Sequence, residues 1–552
     1  MRRLLLAVAA LALIPSAAQA DVTIDEFTVT PANTQAGGHP DVTITQRMTP
    51  SAGDDVKDTF VRLAPGLLGN PQNAALCSGE QLRSTAGCPA NATVGSVQVT
   101  ATIVVLGLSQ TINGTVYNLR PTGAEPARLG LKLQPFDVSP LPQALGPVYL
   151  EAPVYLRPGA DGIGLESLFA DQPREQSGLD IQITGVRLTF LGSVSGGTFM
   201  RMPTSCGPAN SLTRMNTYAA PATFAQSSST FSPTGCDGLG FSPSAEGALG
   251  APGLTQRGAH PPLSTTLRFD PEQAALNRAE VTLPLSVAAG QTALTWACPR
   301  PQADATACPE SSRVGTAIID SPLQATPVRG PVYLAFNSDA VLPGLMVILP
   351  PPVDLRIDGV TEVGGFGTRN VFPSNPDLPL RSFTLEFEGG TNGILELTRD
   401  LCADRTPTEI AVKLTSHAGQ VREFTQDLAT PGCDPRARVS LTKHGKRFTL
   451  AAVLSAPRRG PDIARARIAL PKALVRGKRR PRLHVDGKRQ TVRRPRRAIR
   501  PKLGDGARRV KLVWPGLRRA KGKKLRRTVI VPVTMVDERG KRFGGRLRVR
   551  RG

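Results

Sequence analysis

Apolar and polar residues alternate at every second position in short runs spread along most of the chain. Val42-Thr43-Ile44-Thr45, Val186-Arg187-Leu188-Thr189-Phe190 and Phe383-Thr384-Leu385-Glu386-Phe387 are three of them. A period of two puts one face of an extended segment on a core and the other in water, so each run predicts a half-buried strand. Apolar stripes with helical spacing are scarce, and only 271–281 and 164–171 predict short helices. The 54 glycines and 50 prolines fall between the apolar runs, where they supply turns. This pattern predicts an all-β fold with many short strands.

The landmarks of that pattern occur twice. Cys77 and Cys88 recur as Cys298 and Cys308, and Cys206 and Cys236 recur as Cys402 and Cys433, at offsets of 221, 220, 196 and 197 residues. His39-Pro40 recurs as His260-Pro261 and Phe190 as Phe387. Cys88-Pro89-x4-Val94-Gly95 matches Cys308-Pro309-x4-Val314-Gly315 without a change in spacing, and Gly114-x-Val116-Tyr117 and Gly330-x-Val332-Tyr333 suggest matching strand starts. The expected organisation is a signal peptide at 1–20, module A at 21–245, a linker at 246–259, module B at 260–433 and a third domain at 434–552. Module A is longer, with the extra residues expected within 146–177.

Arg2-Arg3, the apolar run 4–14 and Ala18-Gln19-Ala20 have the form of a secretion signal with its cleavage site. Later apolar stretches, 99–108 and 344–353, are about ten residues long, too short to span a bilayer and suited to core strands. The mature chain is therefore expected outside the cytoplasmic membrane, extracellular or cell-wall associated. Cysteines pair there. Eight allow 105 pairings, and three remain if both modules pair internally and alike. Loop-closure entropy favours Cys77–Cys88, Cys206–Cys236, Cys298–Cys308 and Cys402–Cys433. A thiolate metal site is disfavoured, because no Cys-x2–4-Cys knuckle occurs.

Charge divides the chain. Residues 434–552 hold 40 Lys+Arg and 6 Asp+Glu, a net of +34, so the whole-chain value of +24 leaves −10 for residues 1–433. Apolar residues still alternate with the charges, as in Arg546-Leu547-Arg548-Val549-Arg550, and Asp486-Gly487 is a hairpin signal. An immunoglobulin-like sandwich of about seven strands is expected, with 476–500 its least regular part. Polyanion binding is assigned to Arg479, Arg480, Arg493, Arg494, Arg496, Arg497, Lys523 and Lys524. The expected partners are anionic envelope polymers or surfaces, with no specific nucleic acid.

Signals of catalysis are sparse. His39 and His260, the duplicated histidines, are expected to hydrogen-bond backbone groups. Gly192-Ser193-Val194-Ser195-Gly196 has valine where a nucleophile elbow needs serine. No phosphate-binding glycine loop, EF-hand or HExxH sequence occurs, so neither a cofactor nor a metal is expected. With aromatic residues at 5%, a broad sugar-binding cleft is disfavoured.

The Cys-Pro-x4-Val-Gly modules, the Gly-x-Val-Tyr motifs and the signal sequence resemble secreted actinobacterial proteins. In these, such modules stand in tandem before a basic immunoglobulin-like C-terminal domain. The resemblance covers most of 39–433 and brings no active site with it. The expected fold class is all-β: two homologous disulfide-stapled β-sandwich-like modules followed by a basic immunoglobulin-like β-sandwich. The expected function is that of an exported non-catalytic envelope or extracellular protein held at an anionic surface. A secreted hydrolase or a specific glycan- or peptide-binding protein is the alternative.

Overall fold

The computed structural model describes residues 22–134, 146–159, 161–176, 178–290, 295–337, 341–365, 367–402, 408–457, 460–492, 495, 497–538, 540 and 542–550. The expected signal peptide lies outside them. The chain is all-β, and modules A and B share one topology. In module A the antiparallel order is Val22–Pro31, Val42–Pro50, Leu179–Phe190, Thr93–Ile103, Leu108–Leu119, Ala127–Leu133, Val148–Gly159, Gly162–Phe169, Val56–Arg62, Ala209–Thr217, Ala225–Phe231. Module B repeats it position for position: Ser244–Leu249, Leu263–Arg268, Ser382–Phe387, Arg313–Asp320, Val328–Ala335, Gly344–Leu349, Leu355–Gly364, Gly367–Phe372, Leu276–Thr282, Glu409–Ser416, Val421–Asp427.

Each sheet folds over into a sandwich-like shell whose two edges meet. In module A the Val29 amide donates to Ser229 Oγ at 2.9 Å, and Ala36 N donates to Thr234 O at 2.8 Å. In module B, Leu249 N donates to Ala429 O at 2.8 Å. The inward residues of the alternating runs form the cores, among them Ile44, Leu188, Phe190 and Leu385.

The repeated motifs have local reasons. Pro89 and Pro309 each start a short 3-10 turn, after which Val94 and Val314 enter the core. Gly95 and Gly315 follow at β-bulges. A Cβ there would stand 2.3 Å from Thr189 O or 2.1 Å from Glu386 O, a distance only glycine allows. Gly114 lies in the middle of Leu108–Leu119, not at a strand start, and a Cβ there would stand 2.6 Å from Lys132 O of the neighbouring strand.

Several expectations need correction. Residues 164–171 and 271–281 form strands over most of their length, Gly162–Phe169 and Leu276–Thr282. About three turns or less of helical pattern cannot outweigh pairing on both sides. The stretch expected as a linker from 246 begins inside strand Ser244–Leu249. Its small residues serve close packing, since a Cβ on Gly247 would stand 2.6 Å from Ser264 O. The extra length of module A is not confined to 146–177. Part of it extends the hairpin Thr93–Ile103/Leu108–Leu119 beyond its counterpart Arg313–Asp320/Val328–Ala335, a change that adds paired residues without disturbing register.

Disulfides join Cys77–Cys88, Cys206–Cys236, Cys298–Cys308 and Cys402–Cys433. The first and third fasten a short helix, Gly79–Arg83 or Arg300–Asp304, onto its shell. Cys77 packs there with Leu82, Ala92 and Leu119, and Cys298 with Ala303, Ala335 and Met346.

The modules also touch across a seam. The Asp377 carboxylate of module B accepts from Thr204 N and Thr204 Oγ of module A, both at 2.7 Å, and Thr204 Oγ accepts from Ala275 N. Arg201 donates to Gln273 O at 2.7 Å, and Gln420 donates to Cys236 O and Leu239 O.

The third domain is a sandwich. One sheet orders Arg436–His444, Arg447–Ser455, Arg509–Arg519, Arg482–Val485 and Lys488–Gln490, with Leu474–Val475 beside Arg509–Arg519. The other orders Ala498–Ile499, Ile463–Ala469, Thr528–Asp537 and Arg542–Arg550. Trp514, 1% exposed, sits in the core between them. Asp486 and Gly487 take positive φ, as a type I′ hairpin turn requires.

Candidate polyanion-binding surface

The outer face of the four-stranded sheet carries six exposed arginines, Arg465, Arg467, Arg542, Arg546, Arg548 and Arg550. On this face Arg542 stands opposite Val536, Arg546 opposite Pro532, Arg548 opposite Ile530 and Arg550 opposite Thr528. On the other side of the same central strand, Arg465 stands opposite Val536 and Arg467 opposite Thr534. Two rows of exposed guanidinium groups thus flank a neutral strip, with about 7 Å between arginines two residues apart on one strand. No Asp or Glu occupies the outward positions of these strands; Asp537, at the strand end, is 3% exposed. Across the other sheet Arg438, Val453, Lys511 and His484 form a second row in register.

Strand pairing dictates this lattice. On the two flanking strands the arginines alternate with inward apolar residues such as Ala466, Leu547 and Val549, so burying the apolar residues turns the guanidinium groups to the same side. The sequence-assigned residues among those described lie elsewhere. Arg479, Arg480, Lys523 and Lys524 are exposed on connecting segments, and Arg497 precedes an edge strand and donates to Lys472 O. Arg493, Arg494 and Arg496 fall outside the described residues. Clustering along the chain led to the loops, whereas the lattice gathers residues 85 positions apart. Its signal was the period-two pattern of 546–550 and 465–467.

Elsewhere, several polar and charged side chains are held by hydrogen bonds and ion pairs. His39 Nδ1–H donates to Met200 O at 2.7 Å, and His260 Nδ1–H donates to Leu395 O at 2.8 Å, the equivalent contact in each module. Lys57 lies 3.0 Å from Asp58 and 2.8 Å from Asp171, and hydrogen bonds to these carboxylates push it up to about 12. An ammonium held so firmly is no base or nucleophile near neutrality. For Asp58, burial raises the pKa, but hydrogen bonds from Asp171 N, Asn216 and Lys57 together hold it below its ordinary value. Gly192–Gly196 contains a strand of a tight β-hairpin, Ser193–Val194 with Gly197–Thr198, instead of a strand-to-helix elbow. Among the described residues no three His, Cys, Asp or Glu side chains gather as a metal site, and no helix is long and apolar enough to cross a membrane.

No protein-family model matches the sequence, and no curated protein does. Solved structures align only distantly. A three-domain fragment of titin aligns at 9% identity over 97% of this chain and 98% of its own, with a TM-score of 0.17. A 1.5-MDa bacterial ice-binding adhesin aligns at 10% identity over 97% of each chain, with a TM-score of 0.16. The C-terminal domain of the AgI/II polypeptide BspA from Streptococcus agalactiae aligns at 9% identity over 56% of this chain and 100% of its own, with a TM-score of 0.18. Superpositions at this level carry no argument about function, and the all-β architecture rests on the strand pairing itself.

Proposed function

We propose that this is an exported, non-catalytic protein of the cell envelope or extracellular space. Its two cross-braced modules form a rigid body, and the cationic third domain holds that body to an anionic polymer. The arginine lattice on the four-stranded sheet carries this reading, because a regular array of guanidinium groups without interspersed carboxylates favours repeating anionic groups. Four disulfides, which persist in oxidising compartments, support the compartment.

The test uses the mature chain and dextran sulfate as the polyanion. Binding should weaken linearly on a log–log plot against salt. Changing Arg465, Arg467, Arg542, Arg546, Arg548 and Arg550 to serine should flatten that slope by about 4–5 if each contact contributes ~0.7–0.9. Serine at Arg479, Arg480, Lys523 and Lys524 should flatten it by less than half as much. Salt-independent binding, or a lattice variant that binds like the parent, would overturn the proposal.

A further inference from the structure

Each module encloses a cavity that polyanion binding does not use. The larger, about 150 Å³ in module A, is walled by the strands from Val42–Pro50 through Gly162–Phe169 to Val56–Arg62, eight in succession. Its wall is apolar, with Val99, Ile112, Leu131, Leu150, Ile183 and Phe190 facing inward. No charged side chain lines it among the described residues. Two of its polar groups are already engaged, Gln46 donating to Thr213 Oγ and Gln172 to Thr59 Oγ, both at 2.7 Å. An apolar cavity of about this size stays dry and takes a small hydrocarbon, and a shell of about eight strands is of the right girth to hold one ligand.

A second cavity of about 80 Å³ occupies the same place in module B. Leu156, Leu323 and Gln324 line both, so the two spaces adjoin at the seam between the modules. Together they make two adjoining apolar spaces instead of one chamber. In module A, the hairpin that contributes Ala101 and Ile112 to the wall continues into an exposed apolar tip. Val104 is 55% exposed, Val105 71% and Leu106 52%. Apolar surface therefore extends from the cavity wall to solvent along one hairpin.

We propose that module A binds a single unbranched hydrocarbon chain, presented by an uncharged lipid whose polar head stays outside the shell. The uncharged wall excludes a buried carboxylate or phosphate. The adjoining cavities suit a linear chain, and the exposed tip offers a path from an apolar phase. This inference is independent of the polyanion reading.

The test titrates the full mature chain with N-phenyl-1-naphthylamine, using decan-1-ol as competitor. Saturable binding displaced by the alkanol is expected. Ala101→Phe, which places a ring in the lumen, should weaken both ligands at least tenfold. Ala127→Leu, a smaller filling change on another wall strand, should weaken them about threefold and provides the measurement if Ala101→Phe does not fold. Val105→Ser/Leu106→Ser should leave affinity within twofold. Absence of saturable binding, filled variants that bind like the parent, or a tip variant as weak as the filled ones would each overturn the proposal.

Discussion

Replacing Asp377 with alanine should uncouple modules A and B. Asp377 is 5% exposed, and Thr204, which donates to it twice, is 0% exposed. A hydrogen bond to a charged group contributes about 1.5–3 kcal/mol, so the pair is worth roughly 3–6. The same carboxylate faces Arg201, which is 7% exposed and whose Nε and Nη1 have no hydrogen-bond partner. Burial holds this guanidinium below its ordinary value, although Asp377, then Glu272 and Asp270, pull the other way. Alanine leaves Thr204 N–H unpaired and Arg201 less compensated. Because these losses share one carboxylate they are not additive, and a net cost of about 4 kcal/mol follows. At ~2–4 °C per kcal/mol for units of this size, calorimetry should show the joint transition of the two modules falling by roughly 8–16 °C and splitting in two. Asp377→Asn, which still accepts from Thr204 N, should lose less than half as much. A single transition at the parental midpoint in Asp377→Ala would refute the reasoning.

Removing the Cys77–Cys88 bridge by a double alanine substitution should cost module A about 3 kcal/mol by loop-closure entropy; an unchanged denaturant midpoint with and without reductant would contradict this. Acid should destabilise module A. For Glu125, 2% exposed, burial raises the pKa, but the Thr122 amide and Arg128 are among the contacts that together hold it below its ordinary value, and Asp58 is held down likewise. Groups depressed in the folded state stabilise it above their unfolded pKa values, near 4, and that stabilisation fades as pH falls through the folded values. Urea midpoints should therefore drop below about pH 4, and a rise between pH 5 and 3 would contradict the assignment. Gly95→Ala or Gly315→Ala should cost at least about 1–3 kcal/mol through overpacking against a neighbouring carbonyl, read as a lowered midpoint of the module concerned.

Most strands were legible because burying one face of an extended segment requires a local period of two. Val186–Phe190 and Phe383–Phe387 met that requirement and lie within paired strands. The segments 164–171 and 271–281 misled because a few apolar residues fit either period, and which prevails depends on partners far away in the chain. Phe60 and Leu168 face each other from strands more than 100 residues apart. The edge strand Ser244–Leu249 was hidden by its small residues, whose meaning came from close packing on Leu263–Arg268. On the cationic domain, density along the chain pointed to loops, while the most ordered array of charge was assembled by pairing three strands.

The sequence by itself determined the duplication, the alternation that makes every domain a β-structure, and the segregation of positive charge into the last 119 residues. These follow from residue identity and spacing alone. Tertiary structure decided which faces meet. Thr204 and Asp377, 173 positions apart, become partners only when two finished shells dock. Whether facing apolar rows close or leave a lumen depends on how a sheet curls over its whole width, a collective geometry that no local pattern encodes.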